Sequence, residues 1–186
     1  MSSTSLQKIR VPIGFAYTAL YVLTAAPEIG SLWTGLPVII TGLAIRIWAA
    51  GHIEKGKILT SEGPYRWTRN PLYLGSFIIG CGFILIASNL WLLAIFCSLF
   101  FCIYLPVMRQ EERELESSFG EAFRNYRKQV PFFLPSIRSW NRVRIERNTI
   151  RSRNFRWCRV ILNREYQAVI GSLIILSLTL VKMLWM

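Results

Sequence analysis

Five apolar stretches, at about residues 11–27, 31–51, 72–88, 90–108 and 166–184, constrain this chain more than any other feature. Each is close to the roughly 17–25 residues that a helix needs to cross the hydrocarbon core of a bilayer. The chain has 186 residues, 53% of them hydrophobic and 17% charged, with a mean hydropathy of +0.37. That is too apolar for an ordinary soluble domain. The reading is an all-α, polytopic membrane protein with about five transmembrane helices, residues 1–186 forming a single domain. The first stretch lacks a small-residue cleavage site and is expected to be a retained helix. The short link Pro27–Gly30 predicts a tight hairpin between the first two spans, and Ser88-Asn89 predicts a turn between the third and fourth. Arg46 lies inside the second span, near enough to its end to be expected to snorkel toward the headgroups.

The loop charges predict a topology. Lys8 and Arg10 precede the first span, Lys55, Lys57, Arg66 and Arg69 lie between the second and third, and 109–165 is heavily basic. The first link carries only Glu28, and the Ser88-Asn89 turn is uncharged. The positive-inside rule then puts the N-terminus and every basic loop on the cytoplasmic side. A net charge of +12 fits nucleic acid or an anionic membrane face, and the apolar spans favour the membrane. The tract Arg138 to Arg164, with Trp140, Phe155 and Trp157 interleaved, reads as an interfacial segment against anionic lipid.

Several chemistries are unsupported. The four cysteines are Cys81, Cys97, Cys102 and Cys158, and the only histidine is His52. They show no metal-ligand or disulfide spacing, so no metal site is expected. No P-loop or G-x-G-x-x-G after a strand is present, so a nucleotide-like cofactor would have to be held some other way. His52 reads as an interfacial or loop residue, and Gly75, Gly80 and Gly82 read as helix-packing positions.

Two polar patches remain. Gly63-Pro64-Tyr65-Arg66-Trp67-Thr68-Arg69-Asn70-Pro71-Leu72-Tyr73-Leu74-Gly75 opens the third span, and Arg109-Gln110-Glu111-Glu112-Arg113-Glu114-Leu115 follows the fourth. Polar groups at the mouth of a span call for a use, and the topology puts both patches on one face. Leu115, Phe119, Phe123 and Tyr126 form an apolar stripe, predicting an amphipathic helix over 109–129 on the cytoplasmic side. Val130-Pro131 ends it, and Phe132, Phe133 and Leu134 form an apolar patch suited to the membrane surface.

These motifs resemble the isoprenylcysteine carboxyl methyltransferases and the related phospholipid N-methyltransferases. The family pattern places Gly63, Tyr65, Arg69, Asn70, Pro71, Tyr73 and Gly75 before and into one span. After a helical hairpin it continues with Glu111, Glu112, Leu115, Phe119, Gly120, Phe123, Tyr126, Val130, Pro131 and Pro135. The match covers about 51–135. Asn70 stands where the family usually has histidine, and Phe123 where it has tyrosine. Asparagine donates and accepts but does not titrate, so positioning is expected there in place of proton transfer.

The resemblance implies S-adenosylmethionine as cofactor, held by Lys57, Ile58, Leu59, Thr60, Tyr65, Asn70, Pro71, Leu72, Tyr73 and Glu111. Amides at a helix start suit the cofactor carboxylate, a carboxylate suits its ribose hydroxyls or ammonium, and aromatic rings suit its sulfonium. The candidate catalytic residues are Arg109, which would hold an acceptor carboxylate, and Glu112, which would deprotonate an acceptor amine. The implied function is methyl transfer to a lipophilic acceptor at the membrane, most like isoprenylcysteine carboxyl methylation. Other readings are a lipid amine N-methyltransferase, an NADPH enzyme like the sterol reductases, and a non-enzymatic scaffold binding anionic lipid. Nucleic acid is not an expected partner, and the patterns carry no oligomeric state.

Overall fold

The computed structural model describes residues 5–54, 58–136, 139 and 154–185. Its helices are α1 (Ser5–Thr24), α2 (Ile29–His52), α3 (Pro71–Ala87), α4 (Leu90–Phe119), α5 (Glu121–Gln129), α6 (Trp157–Leu162) and α7 (Tyr166–Trp185). A 3-10 turn covers Gly63–Arg66, and the described residues contain no strand, so the fold is all-α. Three helices, α2, α4 and α7, are long and apolar enough to cross a membrane. The segment Pro12–Thr24 of α1, and α3, are shorter apolar helices. Lys57, Trp140 and most of the basic tract lie outside the described residues.

Two glycine pairs make α2 and α3 the closest partners in the bundle. A Cβ on Gly42 would fall 2.7 Å from the Gly75 carbonyl oxygen, and one on Gly75 equally close to that of Gly42. Further along, a Cβ on Gly35 would meet the Gly82 carbonyl oxygen at 2.5 Å. Small residues thus let the two backbones touch, a packing mode suited to lipid, where burial of apolar surface gives no drive. Gly80 is also a packing position, but it faces the Phe96 ring of α4.

The short link after α1 turns the chain without making the expected tight helical hairpin. With the glycine face of α2 filled by α3, α1 packs instead against α4 and α7. Tyr17 Oη donates to the Leu92 carbonyl at 3.1 Å, and Tyr21 Oη shares a hydrogen bond with Thr179 Oγ1 at 3.3 Å. Lys182 Nζ donates to the carbonyls of Val22 and Leu23 at 2.7 and 2.8 Å, closing the C-terminal end of α1. The predicted turn between α3 and α4 is present. Ser88 is left-handed at φ 51°, and Asn89 Oδ1 accepts from the Trp91 amide at 3.1 Å as an N-cap.

The amphipathic helix expected over 109–129 is instead two elements. The apolar run stops near Met108, but α4 continues to Phe119, because Arg, Gln, Glu and Leu are strong helix formers. Gly120, at φ 52°, then breaks it, and α5 begins. Arg124 and Arg127 brace this corner through Glu116, at 2.9 and 3.0 Å. The stripe still works as one surface: Leu115, Phe119, Phe123, Tyr126 and Val130 gather around Leu59.

At the described end of the basic tract, Arg159 and Asn163 turn inward, while Arg156, Ile161, Leu162 and Arg164 stay exposed. Arg159, 6% exposed, reaches the carbonyls of Gly51 and His52 and pairs with Glu54 at 3.6 Å. Asn163 Nδ2 donates to the Ala50 carbonyl at 3.0 Å. These side chains satisfy the last carbonyls of α2, where a cation also suits the helix dipole. Phe155 packs against His52, while Trp157 stays exposed.

Candidate functional site

The loop entering α3 is rigid because of what its residues are. Gly63 opens the 3-10 turn at φ 57°, Pro64 takes its second position, and Pro71 occupies the first helical position of α3, where its missing N–H is no loss. Asn70 is the residue before it, and both it and Pro71 are buried.

Two neighbours pin this loop from opposite sides. On one side, the segment following α5 runs back over it as a strap. The Arg69 amide donates to the Pro131 carbonyl at 3.0 Å, the Ser136 amide to the Trp67 carbonyl at 3.0 Å, and Tyr126 Oη to the Tyr65 carbonyl at 2.8 Å. Asn70 Nδ2 donates to the Phe132 carbonyl at 3.0 Å. The apolar patch 132–134 therefore divides its tasks. Phe133 enters an aromatic cluster with Phe77, Phe100 and Phe101, and Leu134 stays exposed.

On the other side stands the polar end of α4. Tyr73 Oη donates to Glu111 Oε1 at 2.9 Å, and Arg69 Nη1 lies 3.0 Å from Glu112 Oε1. The adjacent acidic residues thus each hold one residue of the other motif. The Arg69–Glu112 approach is an ion pair by distance, but its angles do not make a hydrogen bond, so both atoms keep unused hydrogen-bonding capacity. Arg69 also lies over the Phe132 ring, 5.5 Å from its centroid.

Burial sets the electrostatics. It raises the pKa of Glu112 from its ordinary value, against the lowering pull of Arg69 and Arg127. Burial likewise lowers that of Arg69. Tyr65 is pushed well up, first by burial and then by Tyr126, Glu111 and Glu165, so it is a neutral phenol at physiological pH. Its hydroxyl is buried without a hydrogen-bond partner among the described residues.

The predicted site residues therefore have distinct surroundings. Tyr65, Asn70, Pro71, Leu72, Tyr73, Glu111 and Glu112 come together at one end of the bundle, with Glu111 exposed, and Arg109 is exposed as well. Leu59 is 3% exposed inside the α5 cluster, so its side chain is core, while Ile58 and Thr60 are half-buried. Asn70 uses its amide on backbone, in keeping with positioning. Trp67 stacks edge-on with Trp48 at 5.1 Å, which makes it an α2 contact.

Arg46 departs from expectation. It points into the bundle, where Nε and Nη2 reach the two oxygens of Glu165 at 2.9 and 3.1 Å, and Nη1 reaches the Leu72 carbonyl at 3.2 Å. A buried carboxylate partner is worth more to a guanidinium inside a span than a reach to the headgroups. Neither Glu165 nor the strap gave a local signal. The pairing spans 119 residues.

A sequence profile described as phospholipid methyltransferase matches residues 29–122. The chain is 33% identical over 94 residues to the cobalt-zinc-cadmium resistance protein CzcN of Cupriavidus metallidurans, covering 50% of this chain and 43% of that protein. It is 31% identical over 88 residues to protein-S-isoprenylcysteine O-methyltransferase of Schizosaccharomyces pombe, covering 47% and 37%. It is 34% identical over 74 residues to methanethiol S-methyltransferase of Crocosphaera subtropica, covering 39% and 28%. Each match spans less than half the relative's length. No solved structure gives a significant match.

Proposed function

This chain belongs to the phospholipid methyltransferase family, and on that premise we propose that it moves a methyl group from S-adenosylmethionine to a lipophilic acceptor, at the cytoplasmic face of the membrane. One observation carries the reading. Tyr73–Glu111 and Arg69–Glu112 join the start of α3 to the polar end of α4, which brings two distant motifs into one polar cluster inside the matched segment.

The residues fit that cofactor. Tyr65 presents a buried hydroxyl with no partner among the described residues, and Arg69 and Glu112 keep unused capacity. Glu111 with Tyr73 would hold ribose hydroxyls or the ammonium. The first amides of α3 would face the carboxylate, since a helix N-terminus attracts negative charge. When bound, the cofactor supplies an electrophilic methyl group on a sulfonium. The protein's part is to orient the acceptor and exclude water, which accounts for much of such a barrier reduction. A carboxylate acceptor of the isoprenylcysteine kind needs no base, and the exposed Arg109 would receive it. An amine acceptor must lose a proton, and Glu112, whose burial favours its protonated form, would exchange it.

The test is a calorimetric titration of the detergent-purified chain with S-adenosylhomocysteine. Wild type binds, and Glu111→Ala and Tyr73→Ala each weaken binding about tenfold, the loss of one charge-assisted contact. NADPH gives no heat. Absence of binding by wild type overturns the proposal. Equal binding by both variants moves the cofactor elsewhere in the chain. A screen with labelled methyl donor over prenylcysteine and lipid amines then separates the two acceptor classes.

A further inference from the structure

The site described so far draws on α3, α4 and the loops around them, all within or next to the family-matched residues. The last helix lies outside that segment, yet the side chain of the residue just before it reaches back. Glu165, 4% exposed at the entrance to α7, accepts both forks of the Arg46 guanidinium. The third nitrogen of Arg46 goes to Ser76 Oγ and the Leu72 carbonyl. Ser76 Oγ itself donates to the same carbonyl at 3.1 Å. Leu72 is the second residue of α3, and Tyr73, the next, makes the contact with Glu111.

Two backbone features serve this arrangement. Arg164 adopts φ 56°, a left-handed conformation unfavourable for a residue with a side chain, one position before Glu165. It lets α6 end and α7 begin with Glu165 facing the bundle. Gly75 leaves room for the stem of Arg46, since a Cβ there would fall 2.6 Å from Arg46 Cγ. The close contact of Gly42 with Gly75 thus brings the guanidinium within reach of the first turn of α3. Strain at one position and missing volume at another both support the same ion pair.

We propose that Arg46 and Glu165 are positioning residues for the cofactor site: through the Leu72 carbonyl, they set the first turn of α3 and so the aim of Tyr73 at Glu111. This rests on the methyltransferase reading. In consequence the last helix tunes cofactor affinity without touching the cofactor. A carbonyl at the second position of a helix is bonded within the helix on its own account, so a donor from α2 there acts on direction more than on stability.

The experiment reads S-adenosylhomocysteine affinity beside the thermal midpoint of the detergent-solubilised full chain. Glu165→Gln is expected to weaken binding about tenfold, a typical coupling between distinct positions. Arg46→Lys keeps the charge opposite Glu165 but cannot span Glu165 and Leu72 together. It is expected to hold most of the midpoint while losing affinity by a similar factor. Lys182→Met, which removes a helix-closing contact at the other end of α7, should lower the midpoint and leave affinity unchanged. Wild-type affinity in Glu165→Gln and Arg46→Lys would overturn the proposal, as would losses of affinity that simply follow the midpoint in all three variants. No binding by wild type would instead overturn the function on which it rests.

Discussion

The Arg46–Glu165 and Arg69–Glu112 pairs lie at the same end of the bundle and are built in opposite ways. In the first, every nitrogen of the guanidinium meets an oxygen, and the carboxylate is held through both of its own. In the second, the charges approach to 3.0 Å without hydrogen-bond geometry, and Arg69 Nε, Arg69 Nη1 and Glu112 Oε1 have no hydrogen-bond partner among the described residues. A buried charge that is fully bonded specifies structure, whereas one that is only neutralised keeps capacity for something else. The first pair reads as framework and the second as a place for a ligand.

Breaking each pair tests this contrast, and the largest effect belongs to the framework pair. Arg46→Ala leaves Glu165 buried and uncompensated, which is expected to cost about 3–5 kcal/mol, seen as a large fall in the thermal midpoint in detergent. Next comes the strap. Asn70→Asp removes the donor to the Phe132 carbonyl and is expected to cost about 1–3 kcal/mol, whereas Asn70→His keeps an N–H there and should retain most of the stability.

The acidic pair gives a smaller effect with a diagnostic sign. Burial raises the pKa of Glu112 in the folded chain above the ordinary 4.5 of a glutamate. The folded state then binds that proton more tightly than the unfolded one, and its contribution to stability falls as pH rises from about 4.5 through the raised value. Glu112→Gln is expected to flatten this decline in midpoint-against-pH curves. Glu116 should act in the reverse sense. A hydrogen bond from Arg124 leads the causes that lower its pKa, so its contribution is present above 4.5 and lost as pH falls through the lowered value. Arg124→Ala, at an exposed corner, should leave the thermal midpoint close to that of the wild type.

What could be read from the sequence divides along physical lines. The ends of α2, α3 and α7 were legible to within about two residues, because hydropathy changes sharply where they meet polar loops. The end of α4 was not, because hydropathy marks the limit of an apolar run and not of a helix. Gly120 was the missed signal. The meeting of Tyr73 with Glu111 was foreseeable from the shared face of two motifs. The inward turn of Arg46 was not, since its partner sits at the entrance to a helix that no local pattern connects to it. The glycine spacing in α2 and α3, seven residues in each, was visible in the sequence, but only the closeness of the two backbones shows that the pairs face each other.

The charges at the two ends of α7 have a further consequence. Glu165 is tied to α2 at one end, and Lys182 to the last carbonyls of α1 at the other. Seventeen residues separate them (182 − 165), which at about 1.5 Å of rise per residue is about 26 Å. The helix therefore acts as a strut of set length between two anchored charges. A bilayer whose hydrophobic thickness is about 27 Å accommodates it without strain, while a thicker one must thin locally or draw one anchor out of its contact. Because one anchor is also the link to the first turn of α3, membrane thickness becomes a mechanical input to the geometry of that turn.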